Sequence, residues 1–307
     1  MERLSDPAVG ELTSLIGGLF ADPNLAVVGA RYYLFPTTDG TSNWSARSFS
    51  AFSSSDLLNW ESHGVILALG KHVAWAQNNA WAPAFAAHDG SYYFYYTAES
   101  NIGVAKSDDP LGPYVDLGRP LIAAGDYSGR AIDPSVFVDD DGSSYLYWGN
   151  HHAHGVRLND DMMSFDPTQV VTWVPTDFRE APWVHKRNGI YFLSWSVGDT
   201  RDENYRVCYA SGPGPLGPWT DNGELLEKSP QHGILGTGHH SIVNVPGSDE
   251  WIIAYHRFAI PGGDGFHREI AFDRLVHRGE HIERVVPTHA AIKMPLSATT
   301  QSTEPTR

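Results

Sequence analysis

Four short stretches of the sequence carry side chains able to move protons. Arg179-Glu180-Ala181-Pro182-Trp183 sets a carboxylate between a basic residue and Ala-Pro. Ala21-Asp22-Pro23 and Ile132-Asp133-Pro134-Ser135 each place an aspartate before proline, and Gly236-Thr237-Gly238-His239-His240-Ser241 offers two imidazoles. Two carboxylates in unlike surroundings can serve as general acid and general base, because one stays protonated while the other is ionised. A third carboxylate nearby raises the pKa of the acid by like-charge repulsion. Taken singly, these residues say less, since Asp-Pro opens many ordinary turns. Their recurrence in one layout is the informative feature.

Each stretch heads a unit that recurs five times. Asp22-Pro23 leads into Arg31-Tyr32-Tyr33-Leu34-Phe35, and Trp81-Ala82-Pro83 leads into Asp89-Gly90 and Ser91-Tyr92-Tyr93-Phe94-Tyr95-Tyr96. Asp133-Pro134 precedes Asp141-Gly142 and Tyr145-Leu146-Tyr147-Trp148. Glu180-Ala181-Pro182 precedes Asn188-Gly189 and Ile190-Tyr191-Phe192-Leu193, and His239-His240-Ser241 precedes Trp251-Ile252-Ile253-Ala254-Tyr255. Aligned on Pro23, Pro83, Pro134, Pro182 and Ser241, each unit reads as a strand, a tight turn and a second strand, which is a hairpin. A second motif fills the gaps: Ser53-Ser54-Ser55-Asp56-Leu57 resembles Lys106-Ser107-Asp108-Asp109-Pro110-Leu111-Gly112-Pro113 and Ser211 through Leu216-Gly217-Pro218-Trp219. Weaker versions run from Val156 to Val171 and from Ile270 to Val285-Val286. Two hairpins per unit predict an all-β, five-bladed β-propeller with four antiparallel strands per blade. A two-sheet sandwich is the competing architecture, and five matched units count against it. The expected layout is a lead-in over 1–20, one propeller domain over 21–290 and a tail over 291–307. In a propeller the inner strands begin at one mouth of the axial channel. Asp22, Trp81, Asp133, Glu180 and His239 or His240 are therefore expected to converge.

Composition narrows the partners. The formal charge of −15 leaves no basic footprint for nucleic acid or an anionic membrane surface, so a neutral substrate is expected. Ten Trp and fourteen Tyr suit an aromatic-lined pocket, and no apolar run reaches the length of a membrane span. One cysteine, Cys208, excludes an internal disulfide framework and a thiolate zinc site. The N-terminus shows no basic region followed by an apolar core, so a cytoplasmic protein is expected, or a secreted one if a leader has been removed. His151-His152-Ala153-His154 resembles a metal cluster but reads more simply as a loop at the pocket mouth, and Asp139-Asp140-Asp141-Gly142 reads as a hairpin turn. Gly262-Gly263-Asp264-Gly265 opens no helix, which speaks against a phosphate cradle. Three carboxylates around a neutral, aromatic-lined pocket suggest glycoside hydrolysis, in which an acid protonates the leaving oxygen and an ionised carboxylate serves water or the anomeric carbon.

At this point the sequence resembles glycoside hydrolase family 43, over roughly residues 20–290. The resemblance implies a five-bladed propeller with Asp22 as general base, Asp133 as pKa modulator and Glu180 as general acid. It implies inversion, with Asp22 and Glu180 about 6.5–9.5 Å apart to admit a water. His239 falls where the family places a histidine in the axial channel, beside calcium or another cation; the alternative is that it bonds channel waters. Calcium takes six to eight oxygens, so waters would complete the shell, and the chemistry itself requires no cofactor. Arg268 resembles a family arginine that donates to sugar hydroxyls and helps keep Asp133 ionised. Trp81 with Asn79 resembles an aromatic wall, and Phe35 and Trp44 are candidates for the rim, with core packing as their alternative. The fifth unit looks most like that of exo-acting α-L-arabinofuranosidases, so the expected substrate is an arabinose-containing oligosaccharide such as α-1,5-arabinan. A β-xylosidase or bifunctional enzyme is the alternative, and a non-catalytic carbohydrate-binding propeller the alternative of another class.

Overall fold

The computed structural model describes residues 15–296, which form five antiparallel sheets around one axis and a two-stranded ribbon, His277–Arg278 with His281–Ile282. The first blade holds Phe20–Val28, Arg31–Thr38, Ser48–Ser54 and Trp60–Ala68; the second holds Trp81–His88, Ser91–Ala98, Asn101–Ser107 and Val115–Asp116. The third is built from Ser135–Val138, Ser144–Trp148, Ala153–Arg157 and Val171–Trp173. The fourth is built from Phe178–Arg187, Ile190–Val197, Arg206–Gly212 and Thr220–Leu226. The fifth has three described strands, Gly238–Asn244, Trp251–Phe258 and Arg268–Leu275. The inner strand of each blade packs on those of both neighbours, so the ring is closed. Asp89-Gly90 and Asn188-Gly189 join strands with positive φ at both residues, the backbone that two-residue hairpin turns require.

The second strands are apolar on both faces because each sheet is covered on both sides. In the first blade Tyr32 and Leu34 enter the cluster shared with the fifth blade, while Phe35 enters the cluster shared with the second. Phe35 is fully buried and stacks on Phe85 at 4.8 Å, so it belongs to the core and not to the rim. Five such clusters, one between each pair of neighbouring blades, make up the core.

Val285 does not extend the fifth sheet as the repeat suggested. Its N–H donates to Leu225 O at 2.7 Å, on the edge of the fourth blade. The chain then bonds Asp273 through Thr288 and reaches the first blade, where Met294 N and Leu296 N donate to Asp56 O and Ser55 O. This strap runs past the fifth blade and joins its two neighbours.

At the head of every inner strand one residue takes the left-handed conformation: Asp22 (φ 49°), Ala82 (42°), Asp133 (58°), Ala181 (57°) and His239 (42°). The ladder breaks register there, between Ala21 and Asn24, Trp81 and Ala84, Glu180 and Trp183, and Gly238 and His240. His239, and not His240, is therefore the equivalent of the aspartates. Glu180 and Trp81 each stand one residue earlier. The kinked N–H groups are met by the preceding blade's second strand: Ala82 donates to Thr37 Oγ1 (2.7 Å), Asp133 to Thr97 Oγ1 (3.0 Å) and His239 to Ser196 Oγ (2.9 Å). In the fourth blade the carboxylate of Asp133 itself accepts from the Ala181 N–H. Lower in the channel Leu25 N donates to Ser241 Oγ at 2.9 Å and ties the first inner strand to the fifth. Ser241→Ala leaves that buried N–H without a partner, and a loss of about 1–3 kcal/mol is expected in chemical denaturation.

Candidate active site

The kinks bring Asp22, Asp133 and His239 together, and Glu180 joins them from one residue further up its strand. All four line one cavity of about 310 Å³, together with Trp44, Trp81, Arg130, Arg179, Asp199, Thr200, Arg201 and Arg268. His239 Nδ1 lies 3.3 Å from Asp22 and 3.8 Å from Asp133. His256 Nδ1 lies 3.1 Å from Asp22, and Arg268 Nη1 lies 3.4 Å from it. These three contacts with Asp22 fall on the same oxygen, Oδ1. Glu180 accepts from Tyr205 Oη and Asn150 Nδ2, each at 3.0 Å, and Arg179 stands 3.8 Å away.

The three carboxyls differ sharply in acidity. Burial works against ionisation of Asp22, but the His239, Arg268 and His256 contacts outweigh it and hold the group well below the usual carboxylate range. His239 and His256 are themselves pushed down by burial, His256 to about 4, so near neutral pH Arg268 is the permanent charge and the imidazoles act as neutral partners. Asp133 moves the other way: burial and then the charges of Glu180 and Asp22 raise it well above its ordinary value, against Arg130 and the Ala181 N–H. Burial also raises Glu180, with Arg179 and Tyr205 opposing and Asp22 and Asp199 adding to the rise. Asp133 and Glu180 therefore retain a proton under conditions where Asp22 has none.

Arg268 departs from the expected role. Its guanidinium donates to Asp39 through Nε (2.9 Å) and Nη2 (3.0 Å), and to Asp22 and Thr200 through Nη1. It steadies Asp22 rather than Asp133. Asn79 lies outside the cavity lining and donates to Trp44 O (3.3 Å), which also accepts from Trp81 Nε1 (2.6 Å). It holds the aromatic wall from behind. Trp44 stacks on Phe266 at 4.5 Å and donates to Gly265 O, so loops of the first and fifth blades meet over the cavity. A Cβ at Gly265 would lie 2.4 Å from Arg201 Cα, which explains a glycine in that loop. His154 is buried and its ring nitrogens meet Thr172 and Ser128, while His151 bonds Arg179, so the histidine run supports the wall.

Among the described residues no group of three or more His, Cys, Asp and Glu side chains is arranged to hold a metal. The enclosed channel space below His239, lined also by Asn24, Ser135 and His240, measures about 10 Å³, room for roughly one water. A cation beside His239 would draw most of its shell from water.

Residues 14–281 match the model of the Glycosyl hydrolases family 43. The chain belongs to that family. It is 36% identical over 275 residues to a β-D-galactofuranosidase of Aspergillus niger, covering 84% of this chain and 79% of the relative. It is 32% identical over 297 residues to a xylosidase/arabinosidase of Bacteroides ovatus, covering 78% and 86%. A β-xylosidase/α-arabinofuranosidase from a compost microbial metagenome, solved with xylotriose in a calcium-free form, superposes with a TM-score of 0.77 at 30% identity, covering 91% and 98%. The protein is thus a glycosidase of family 43, whose chemistry needs no cofactor.

Arg130, Arg179, Asp199, Thr200, Arg201, Tyr205, Asn150, Asp39 and His256 were not singled out from sequence as site residues. Arg179 could have been, since it adjoins Glu180; the others sit in second strands and loops without a repeated signature. A carboxyl whose folded pKa is raised favours folding fully below its unfolded value near 4, and that favour is lost as pH rises through the folded value. Glu180→Gln should therefore have a Tm at least equal to the parent's at pH 8, with the difference closing by pH 4, in paired thermal melts.

Proposed function

We propose that the protein is an inverting, exo-acting α-L-arabinofuranosidase that releases arabinose from α-1,5-linked arabino-oligosaccharides or arabinan. The observation that carries the chemistry is the split in acidity within one cavity, Asp22 held ionised while Glu180 and Asp133 retain a proton. Glu180 gives its proton to the glycosidic oxygen as the carbon–oxygen bond breaks. Asp22 takes a proton from a water whose oxygen bonds to the anomeric carbon from the opposite side, and the configuration inverts. Burial and the charges of Asp22 and Asp199 keep the proton on Glu180, while Asp133 stands protonated beside it, steadied by His239 and the Ala181 N–H. Arg268 keeps one Nη2 hydrogen free for a sugar hydroxyl, and Trp44 and Trp81 offer apolar faces to the ring. Exchange with bulk water returns the proton from Asp22 and reloads Glu180.

The substrate reading rests on likeness. The Aspergillus niger relative is named for a furanoside, and the Bacteroides ovatus relative for arabinosides and xylosides. A cavity of about 310 Å³ is at the small end of ligand sites and favours a chain end over a long groove. The xylotriose bound in the metagenomic structure favours the second reading, a β-xylosidase or bifunctional enzyme. The complete set of acids speaks against a purely carbohydrate-binding propeller.

A panel of nitrophenyl glycosides tests the assignment. Hydrolysis is expected to be fastest on α-L-arabinofuranoside, and faster turnover of β-D-xylopyranoside or β-D-galactofuranoside overturns the substrate reading. Glu180→Ala should lower kcat about 10²–10⁴-fold on an unactivated disaccharide and less on a dinitrophenyl glycoside, whose leaving group needs little protonation. Proton NMR of the first-formed sugar should show the inverted anomer; the retained anomer removes Asp22 from its role.

A further inference from the structure

Among the described residues the side chains that approach Asp22 all meet one oxygen of its carboxylate, and the Thr200 hydroxyl stands behind two of them. His239, His256 and Arg268 all address Oδ1. Arg268 cannot swing to Oδ2 because the buried Asp39 holds its Nε and Nη2, leaving Nη1 alone to serve Asp22 and Thr200. His256 is fully buried, stacked on Tyr205 at 5.5 Å, and its position is therefore set.

The tautomer of His256 is not set by packing. Its Nδ1 faces two groups of Asp22, the carboxylate Oδ1 at 3.1 Å and the backbone N–H at 3.3 Å. A ring nitrogen cannot donate to the first and accept from the second at once. With hydrogen on Nδ1 the imidazole grips the carboxylate; with Nδ1 bare it grips the backbone and turns a lone pair toward Oδ1. The other ring nitrogen, Nε2, lies 3.3 Å from Thr200 Oγ1. That hydroxyl already accepts from Arg268 Nη1 at 3.2 Å, and arginine only donates, so its own hydrogen is available to Nε2. Where the hydroxyl gives that hydrogen to Nε2, the single hydrogen of the neutral ring sits on Nδ1 and faces the ionised Oδ1, and the Asp22 backbone N–H gives up its contact with Nδ1.

We propose that Thr200 is a positioning residue for the base. Its hydroxyl relays the fixed donor character of Arg268 to His256, holds the Nδ1–H tautomer and keeps the donors of His256 and Arg268 on Oδ1 of Asp22, the oxygen that the His239 ring also faces. Oδ2 is left as the atom that receives the proton of water. This rests on Asp22 being the base. A hydroxyl that merely touched the sugar would act on KM, whereas this relay acts on kcat.

Thr200→Val, which keeps the shape and removes the hydroxyl, should lower kcat about fivefold, the worth of one lost hydrogen bond, with KM changed less than twofold. Thr200→Ser should restore kcat to within twofold of the parent. In ¹⁵N-labelled protein, the His256 signals, assigned by their loss in His256→Gln, should show protonated Nδ1 and bare Nε2 in the parent and a mixture in Thr200→Val. Thr200→Ala is carried beside it, so that a misfolded valine variant, seen as a lowered Tm, does not decide the matter. Parental kcat in both hydroxyl-free variants, a serine variant as slow as they are, or a parent spectrum with protonated Nε2 overturns the relay. Asp22→Asn separates the two readings: if it stays active the base assignment fails, and if it is inactive while Thr200→Val is unimpaired only the relay fails.

Discussion

The left-handed residue at the head of each inner strand is the constraint on which the site depends. A side chain with a Cβ resists positive φ, at a cost of order 1–3 kcal/mol, and keeps it only where surrounding contacts leave no alternative. Here the neighbouring blade supplies those contacts: Thr37, Thr97 and Ser196 accept the kinked N–H groups of Ala82, Asp133 and His239, and Asp133 does so for Ala181. The kink turns its own residue toward the axis. Where that residue is alanine nothing ionisable arrives, and where it is Asp22, Asp133 or His239 three titratable groups meet within 4 Å contacts.

Crowding like charges in a buried space is unfavourable unless something compensates. The compensation is uneven, and the unevenness is the chemistry. Asp22 receives Arg268, whose charge is also shared with the fully buried Asp39. Glu180 has Arg179 at a looser 3.8 Å, divided again with Asp199. Asp133 has neutral donors and a more distant Arg130. Equal compensation would have given three similar acids and no division of labour between them.

Much of this was legible in the residue order. The turn pairs Asp89-Gly90 and Asn188-Gly189, the aromatic second strands and the recurring prolines were enough for five blades, because hairpin chemistry is local. The three acids followed from their common place in the repeat. The offset between them did not, since Asp22 stands directly before its proline and Glu180 two places before its own, and only the backbone kink shows that these are different positions. Phe35 stayed open between rim and core because a strand covered on both faces has no polar alternation to show which side faces what. The partners of Arg268 were hidden for another reason: Asp39 is 229 residues away in the chain, and no local pattern announces such a pair. The fate of Val285 was equally non-local, a strand-like segment captured by the edge of a neighbouring blade.

The strap from the fourth blade to the first gives the molecule a further property. Asp22 comes from the first blade and Arg268, 246 residues later, from the fifth, so this carboxylate acquires its counter-ion only when the first and fifth blades have been brought together. Blades folded in isolation, or a ring left open during synthesis, would carry the same acids without their differing acidities. The lowered pKa of Asp22 is therefore a property of the closed ring and not of any single blade.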